Sequence, residues 1–285
     1  MTEIAISPLS NACGAEISGV DLTKPISAGI AAEINQAWLD HCVIVFRGQK
    51  LADIDQVNFA EAFGPVGDYL RPNTLRSGAM KERHRAVMFV SNIVENGEPI
   101  GTLPDGEMMF HTDTGYDQNP HKATTLYAVE IPTHGGNTIF SNQYKVYDEL
   151  PERLKTLLKG RNAHHAYEFG VMIKKKEKYD GPEMRTAVHP IFRNHSETGK
   201  PAVYVNELMT ESIEGLANDE SRAILDEIFA MQKEDRFCYE HVWQKGDLVM
   251  WDNRCTLHAR TDFPRDQRRL LRRVTIEDAP PAWAA

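Results

Sequence analysis

The sequence predicts a mainly β protein, a barrel or sandwich core covered by helices, and three observations predict it. Short strand-like runs dominate the segments that carry metal-ligand candidates. Segments with helical periodicity flank those runs. No internal repeat or low-complexity linker interrupts the chain.

The elements follow in order. GAEISGVDL (14–22) alternates and breaks at glycines, the pattern of a short strand and turn. SAGIAAEINQAWLDHC (27–42) carries apolar residues at helical spacing, with Ser27 placed to cap the helix. VIVFRG (43–48) reads as a buried strand. LADIDQVNFAEAFG (51–64) reads as a second helix, stopped by Gly64 and Pro65. Residues 66–107 show little periodicity apart from the strand AVMFVSNI (86–93). KATTLYAVEIP (122–132) is a strand, and GGNTIFSN (135–142) is a turn and a strand. KVYDELPERLKTLLKG (145–160) reads as one helix ending at Gly160. IKKKEKYDGPEM (173–184) is polar and reads as a mobile loop; SRAILDEIFAMQKE (221–234) is a helix. The stretch from Gly246 to Asp278 reads as strand, turn, strand, loop, strand.

Bulk composition narrows the function. The chain has 285 residues, 41% hydrophobic and 26% charged, an ordinary soluble globular balance. A net charge of -9 disfavours a nucleic-acid-binding surface. The 4 cysteines form no C-x-x-C pair, so neither a disulfide framework nor a zinc ribbon is expected, and a reducing cytoplasm is the natural location. No signal peptide and no membrane-spanning apolar run is evident.

MMFHTDTGYD (108–117) sets His111 and Asp113 two apart behind an apolar run. In an extended strand such residues project from one face, so imidazole and carboxylate can converge. The chain has 11 histidines, and a histidine on a strand is more commonly structural or exposed than a ligand. His258, in a turn within WDNRCTLHAR, is the best third candidate. Two histidines and a carboxylate form the facial triad of non-haem iron(II) oxygenases, which leaves three positions open for a chelating cosubstrate and dioxygen. A structural zinc site would be closed and usually cysteine-rich. In RRLLRRVTI, Arg269 and Arg273 share one face of a strand, and Arg268 and Arg272 share the other, where they read as a solvated charge run. Arg269 follows His258 by eleven residues, so a strand pair would set its planar fork at the deep end of the pocket, against a carboxylate.

With GAEISGVDL, HTD (111–113), IPTHGGNT (131–138), HP and TGKPAVYVN (189–206), WDNRCTLH and RRLLRR, the chain resembles the TauD/TfdA family of iron(II)- and 2-oxoglutarate-dependent dioxygenases. The resemblance covers nearly the whole chain and implies one domain over 1–285, built on a distorted double-stranded β-helix (jelly roll, cupin-like). It implies that His111, Asp113 and His258 bind Fe(2+), and that Thr138 and Arg269 hold the distal carboxylate of 2-oxoglutarate. It gives Arg273 to the primary substrate or to completing the cosubstrate pocket. The family usually has Asp where Asn137 stands; Asn also suits a turn. The implied reaction consumes O2 and 2-oxoglutarate, releases succinate and CO2, and hydroxylates a C–H bond. A halogenase would need the position of Asp113 vacated for halide.

Family members act on small organic anions such as sulfonates, phenoxyalkanoates and sulfate esters, and are commonly dimers or tetramers. Residues 91–110 are expected to line the entrance, with Asn92 and Phe110 as substrate contacts, although a turn polar group and a core aromatic describe them equally well. Residues 162–181 are expected to form a lid or a plain solvated loop. Two alternatives stay open: a zinc hydrolase on the same triad, and a non-catalytic metal-binding jelly roll.

Overall fold

Val43, Ile44, Val45 and Phe46 are all fully buried. A strand with no polar face needs cover on both sides, and the fold supplies it. The structure, a computed structural model, describes residues 4–67, 83–101, 106–167 and 184–278. Its first strands are β1 (Ala5–Pro8), β2 (Ala15–Ser18), β3 (Val43–Phe46), β4 (Met88–Ser91), β5 (Val94–Glu95), β6 (Glu98–Pro99), β7 (Met108–His111), β8 (Ala123–Glu130) and β9 (Thr138–Asn142). There follow β10 (Asn162–Tyr167), β11 (Arg185–Pro190), β12 (Phe192–Asn194), β13 (Pro201–Val203), β14 (Thr210–Ile213), β15 (Cys238–His241), β16 (Leu248–Asp252), β17 (Thr256–Arg260) and β18 (Leu270–Ile276).

Seven strands form a large sheet in the order β1-β2-β3-β16-β8-β18-β4, and four form a smaller one in the order β15-β9-β17-β7. The two sheets face each other. Val43 and Val45 of β3 meet Leu126, Val249, Trp251 and Leu271 of the large sheet, and Phe140 and Tyr239 of the small one. Ile44 and Phe46, pointing the other way, pack on Trp38 of helix α1 (Ala28–His41) and Phe59 of α2 (Asp53–Glu61). The result is the expected jelly-roll core, with two helices on the back of the large sheet. Helices α3 (Gln143–Glu149), α4 (Glu152–Leu158) and α5 (Asn218–Gln232) build a separate apolar cluster with Ala163, Val203 and Ile213.

Ser27 caps α1 as expected, its hydroxyl accepting from the Ile30 N–H at 3.3 Å. Residues 145–160 differ from expectation. Pro151 has no N–H to donate and its ring blocks a continuing helix, so α3 stops at Glu149 and α4 starts afresh at Glu152. Arg272 also differs. It is buried, not solvated: its guanidinium donates to Asp53 at 2.5 Å and to the Leu51 carbonyl at 2.6 Å, and lies 4.5 Å from the Tyr127 ring centroid. It straps α2 to the sheet. Arg268 is exposed and pairs with Glu130, as a solvated charge does. The start of the expected lid, 162–167, is strand β10, paired with β11 and β14; residues 168–181 lie outside the described residues, as does nearly all of 173–184. Of the expected entrance, 94–99 is a hairpin and 102–105 lies outside them. Among the described residues no helix is long and apolar enough to cross a membrane.

Candidate active site

Strands β7 and β17 are neighbours, and His111 lies directly opposite His258. Their rings sit 4.1 Å apart, centroid to centroid. Both strands belong to the small sheet, so the imidazoles point into the space between the sheets. His258 is in mid-strand, not in a turn as expected; the turn precedes it, between β16 and β17. Asp113 departs from the strand argument too. It lies in the turn beyond the end of β7, where Thr114 adopts φ 54°, rare for a β-branched residue. The turn, not strand alternation, brings the carboxylate round. Ligand atoms of His111, Asp113 and His258 all lie within 4.8 Å of one another, with His258 Nε2 3.9 Å from Asp113 Oδ1.

Each ligand is oriented. His111 Nδ1 lies 2.9 Å from the Met109 carbonyl, which can only accept, so the proton sits on Nδ1 and Nε2 keeps its lone pair. Asp113 Oδ2 accepts from the Thr124 hydroxyl at 2.5 Å, and Oδ1 pairs with Arg273 Nη2 at 2.8 Å. Burial pushes the Asp113 carboxyl up, but Arg273, His258 and His111 outweigh it and hold it well below the usual carboxylate range. Burial pushes both imidazoles down, so both are neutral, as a metal requires.

Beside this trio is a cation in need of an anion. Arg269 is 2% exposed, and among the described residues its only acceptor is the Gly136 carbonyl, 3.1 Å from Nη2. Its Nε and Nη1 have no partner there. Burial, then the nearby Arg260, pushes its guanidinium down to about 9. Gly136 has φ +65°, which favours glycine, and a Cβ on it would sit 3.1 Å from Arg269 Nε, crowding that side chain. Two residues on, the Thr138 hydroxyl accepts from the Trp243 indole at 3.1 Å, leaving its own proton to donate. Asn137 donates to Glu240 at 2.7 Å, a contact the family's usual aspartate would turn into repulsion.

Two expected substrate contacts have other work. Asn92 clasps the Arg269 segment: its amide donates to the Gln267 carbonyl at 2.8 Å and accepts from the Arg269 N–H at 2.9 Å. Phe110 neighbours His111 and so points to the opposite face, where it packs with Leu257 and Ala259. The sequence reading missed Arg260, which shares the face of His258 two residues away; the H-x-R spacing in LHARTD was the available signal. It also missed Thr124 and His121, a half-buried imidazole whose Nδ1 has no partner among the described residues and which burial and Arg273 push down to about 4. A second buried trio, His195, Asp252 and Cys255, also has ligand atoms close together, but its groups are engaged with protein partners. Arg254 takes both Asp252 oxygens, at 2.9 and 2.7 Å, His195 shares one, and burial keeps the Cys255 thiol protonated.

Known proteins share this architecture. Residues 5–275 match the taurine catabolism dioxygenase TauD, TfdA family. Pentalenolactone F synthase of Streptomyces avermitilis is 37% identical over 95% of this chain and 93% of its own. The alpha-ketoglutarate-dependent 2,4-dichlorophenoxyacetate dioxygenase of Cupriavidus pinatubonensis is 30% identical over 96% of this chain and 98% of its own. The solved complex of AAD-2 with Mn(II) and N-oxalylglycine superposes with a TM-score of 0.80 at 26% identity, over 98% of this chain and 99% of that one. The chain belongs to the TauD/TfdA family of iron(II)- and 2-oxoglutarate-dependent dioxygenases.

Proposed function

We propose that His111 Nε2, Asp113 Oδ1 and His258 hold the iron, that Arg269 and Thr138 hold the distal carboxylate of 2-oxoglutarate, and that Arg273 meets an acidic group of a small organic substrate. The observation that carries this reading is Arg269: a guanidinium 2% exposed, with two N–H groups lacking any acceptor among the described residues. A buried cation left so costs several kcal/mol, on the order of what a bidentate carboxylate returns. A zinc hydrolase or a structural metal site gives it nothing to bind. The donor set fits iron(II): two neutral imidazoles and a carboxylate, with no thiolate.

When bound, iron(II) and 2-oxoglutarate supply the oxidation of an unactivated C–H bond by dioxygen, with succinate and CO2 as co-products. The chain's own residues bind and orient. His111 presents Nε2 because the Met109 carbonyl holds its one ring proton on Nδ1. Thr138 donates its hydroxyl proton because Trp243 occupies its lone pair. Arg269 fixes the cosubstrate's far end, buried away from water. Arg273, with 20% of its side chain exposed, has an Nε with no partner among the described residues, and its guanidinium can meet a substrate anion. Relatives named as 2,4-dichlorophenoxyacetate, (S)-phenoxypropionate and sulfate ester dioxygenases support an aryloxyalkanoate, a sulfonate or a related acid. The 4 free cysteines suit the reducing cytoplasm.

Anaerobic protein loaded with iron(II) and 2-oxoglutarate should develop a weak visible charge-transfer band, and Asp113→Ala should abolish it. A wild-type protein without the band, or a variant that keeps it, rejects the proposed ligand set. Succinate release across a panel of anionic and neutral substrates tests Arg273; equal turnover of both classes removes its role.

A further inference from the structure

We infer that Thr124 is a positioning residue for the metal, the last member of a one-way hydrogen-bond relay that ties up Asp113 Oδ2 and leaves Oδ1, which also faces Arg273 Nη2 at 2.8 Å, as the oxygen offered to iron. The inference rests on the ligand set proposed above. The relay starts at Trp251, whose indole N–H can only donate. It donates to Asn253 Oδ1 at 2.9 Å. That contact fixes which end of the Asn253 amide faces which way, so Nδ2 points to Thr124 and donates to its hydroxyl oxygen at 3.0 Å. A hydroxyl has one proton. With its oxygen accepting from Asn253, that proton goes to the remaining neighbour, Asp113 Oδ2, at 2.5 Å.

Every member is buried: Thr124 is fully so, and Trp251 and Asn253 are 1% exposed. No water competes for these groups at the surface. The backbone supports the geometry. Thr124 and Trp251 are direct partners in the β8–β16 pair, and the Asn253 carbonyl accepts from the Thr112 hydroxyl at 2.7 Å, inside the ligand turn. The relay thus reaches from the large sheet to the carboxylate across the gap between the sheets. Its consequence is a coordination number. A carboxylate with both oxygens available can chelate a metal and take two positions. With Oδ2 committed, Asp113 would offer iron a single oxygen, which would leave room for a chelating keto acid and dioxygen.

Thr124→Val keeps the shape and β-branching but removes the hydroxyl; Thr124→Ser keeps the hydroxyl and removes the methyl. Calorimetric titration of the anaerobic metal-free proteins with iron(II) should show binding weakened roughly 10–100-fold in Thr124→Val, the usual effect of losing a partner behind a metal ligand. The charge-transfer band with 2-oxoglutarate should move or weaken in that variant, and Thr124→Ser should restore both. Thermal unfolding of the metal-free proteins reports the fold, and Thr124→Ala replaces Thr124→Val in the same comparison if that variant does not fold. Wild-type affinity and spectrum in the hydroxyl-free variant overturn the inference. So does loss of iron by a folded Thr124→Ser. A wild type without the band rejects the ligand set itself, a result distinct from either.

Discussion

At the scale of single residues, the proposed cosubstrate role of Arg269 has a direct test. Arg269→Ala should weaken 2-oxoglutarate binding by about 3–5 kcal/mol, the range for removing one partner of a buried pair, or roughly a hundredfold or more in Kd. Titration of the charge-transfer band reads this directly; an unchanged Kd assigns the carboxylate elsewhere. Arg269→Lys should fall between, because it keeps the charge and loses the planar fork. The triad was legible in the sequence because its residue types are rare in combination and its spacing is short at one end. For Asn92 and Phe110 the sequence left two readings open, because adjacency to a ligand says nothing of which way a side chain points. Phe110 points away by strand alternation, and Asn92 bonds to partners beyond residue 266. Thr124 was invisible for a related reason: pairing of β8 with β16 brings Asn253 to it and the turn after β7 brings Asp113, and local pattern specifies neither.

At the scale of elements, strand and helix positions followed from periodicity, and the errors have local causes. Pro151 divides a helix that the apolar spacing alone would continue. The buried strap of Arg272 looked like charge on a solvated face because α2, which covers that face, is distant in sequence. Arg272→Ala should leave Asp53 with only the exposed Arg83, at 3.4 Å, and cost about 2 kcal/mol of folding stability, measured by urea unfolding. The KM for 2-oxoglutarate should not move, since Arg272 and Arg269 lie on different faces of the sheet. Unaltered stability would mean that α2 is held by its apolar contacts alone.

At the scale of the molecule, protonation couples the site to the fold. Burial holds His111, His121, His189, His241 and His258 below the ordinary imidazole range. The unfolded chain therefore binds more protons than the native one as pH falls below about 6.5, and native stability declines in that direction. The metal-free protein should have a lower Tm at pH 5.5 than at pH 7.5, and iron should dissociate over the same range because it needs neutral imidazoles. A Tm that holds or rises on acidification contradicts this. The pairing of His111 with His258 carries one more consequence. A nascent polypeptide that stops short of Thr256 already contains β1 to β16, and still owns only half a clamp. On the proposed ligand set, iron capture therefore waits for the end of synthesis, when His258 comes to lie opposite His111.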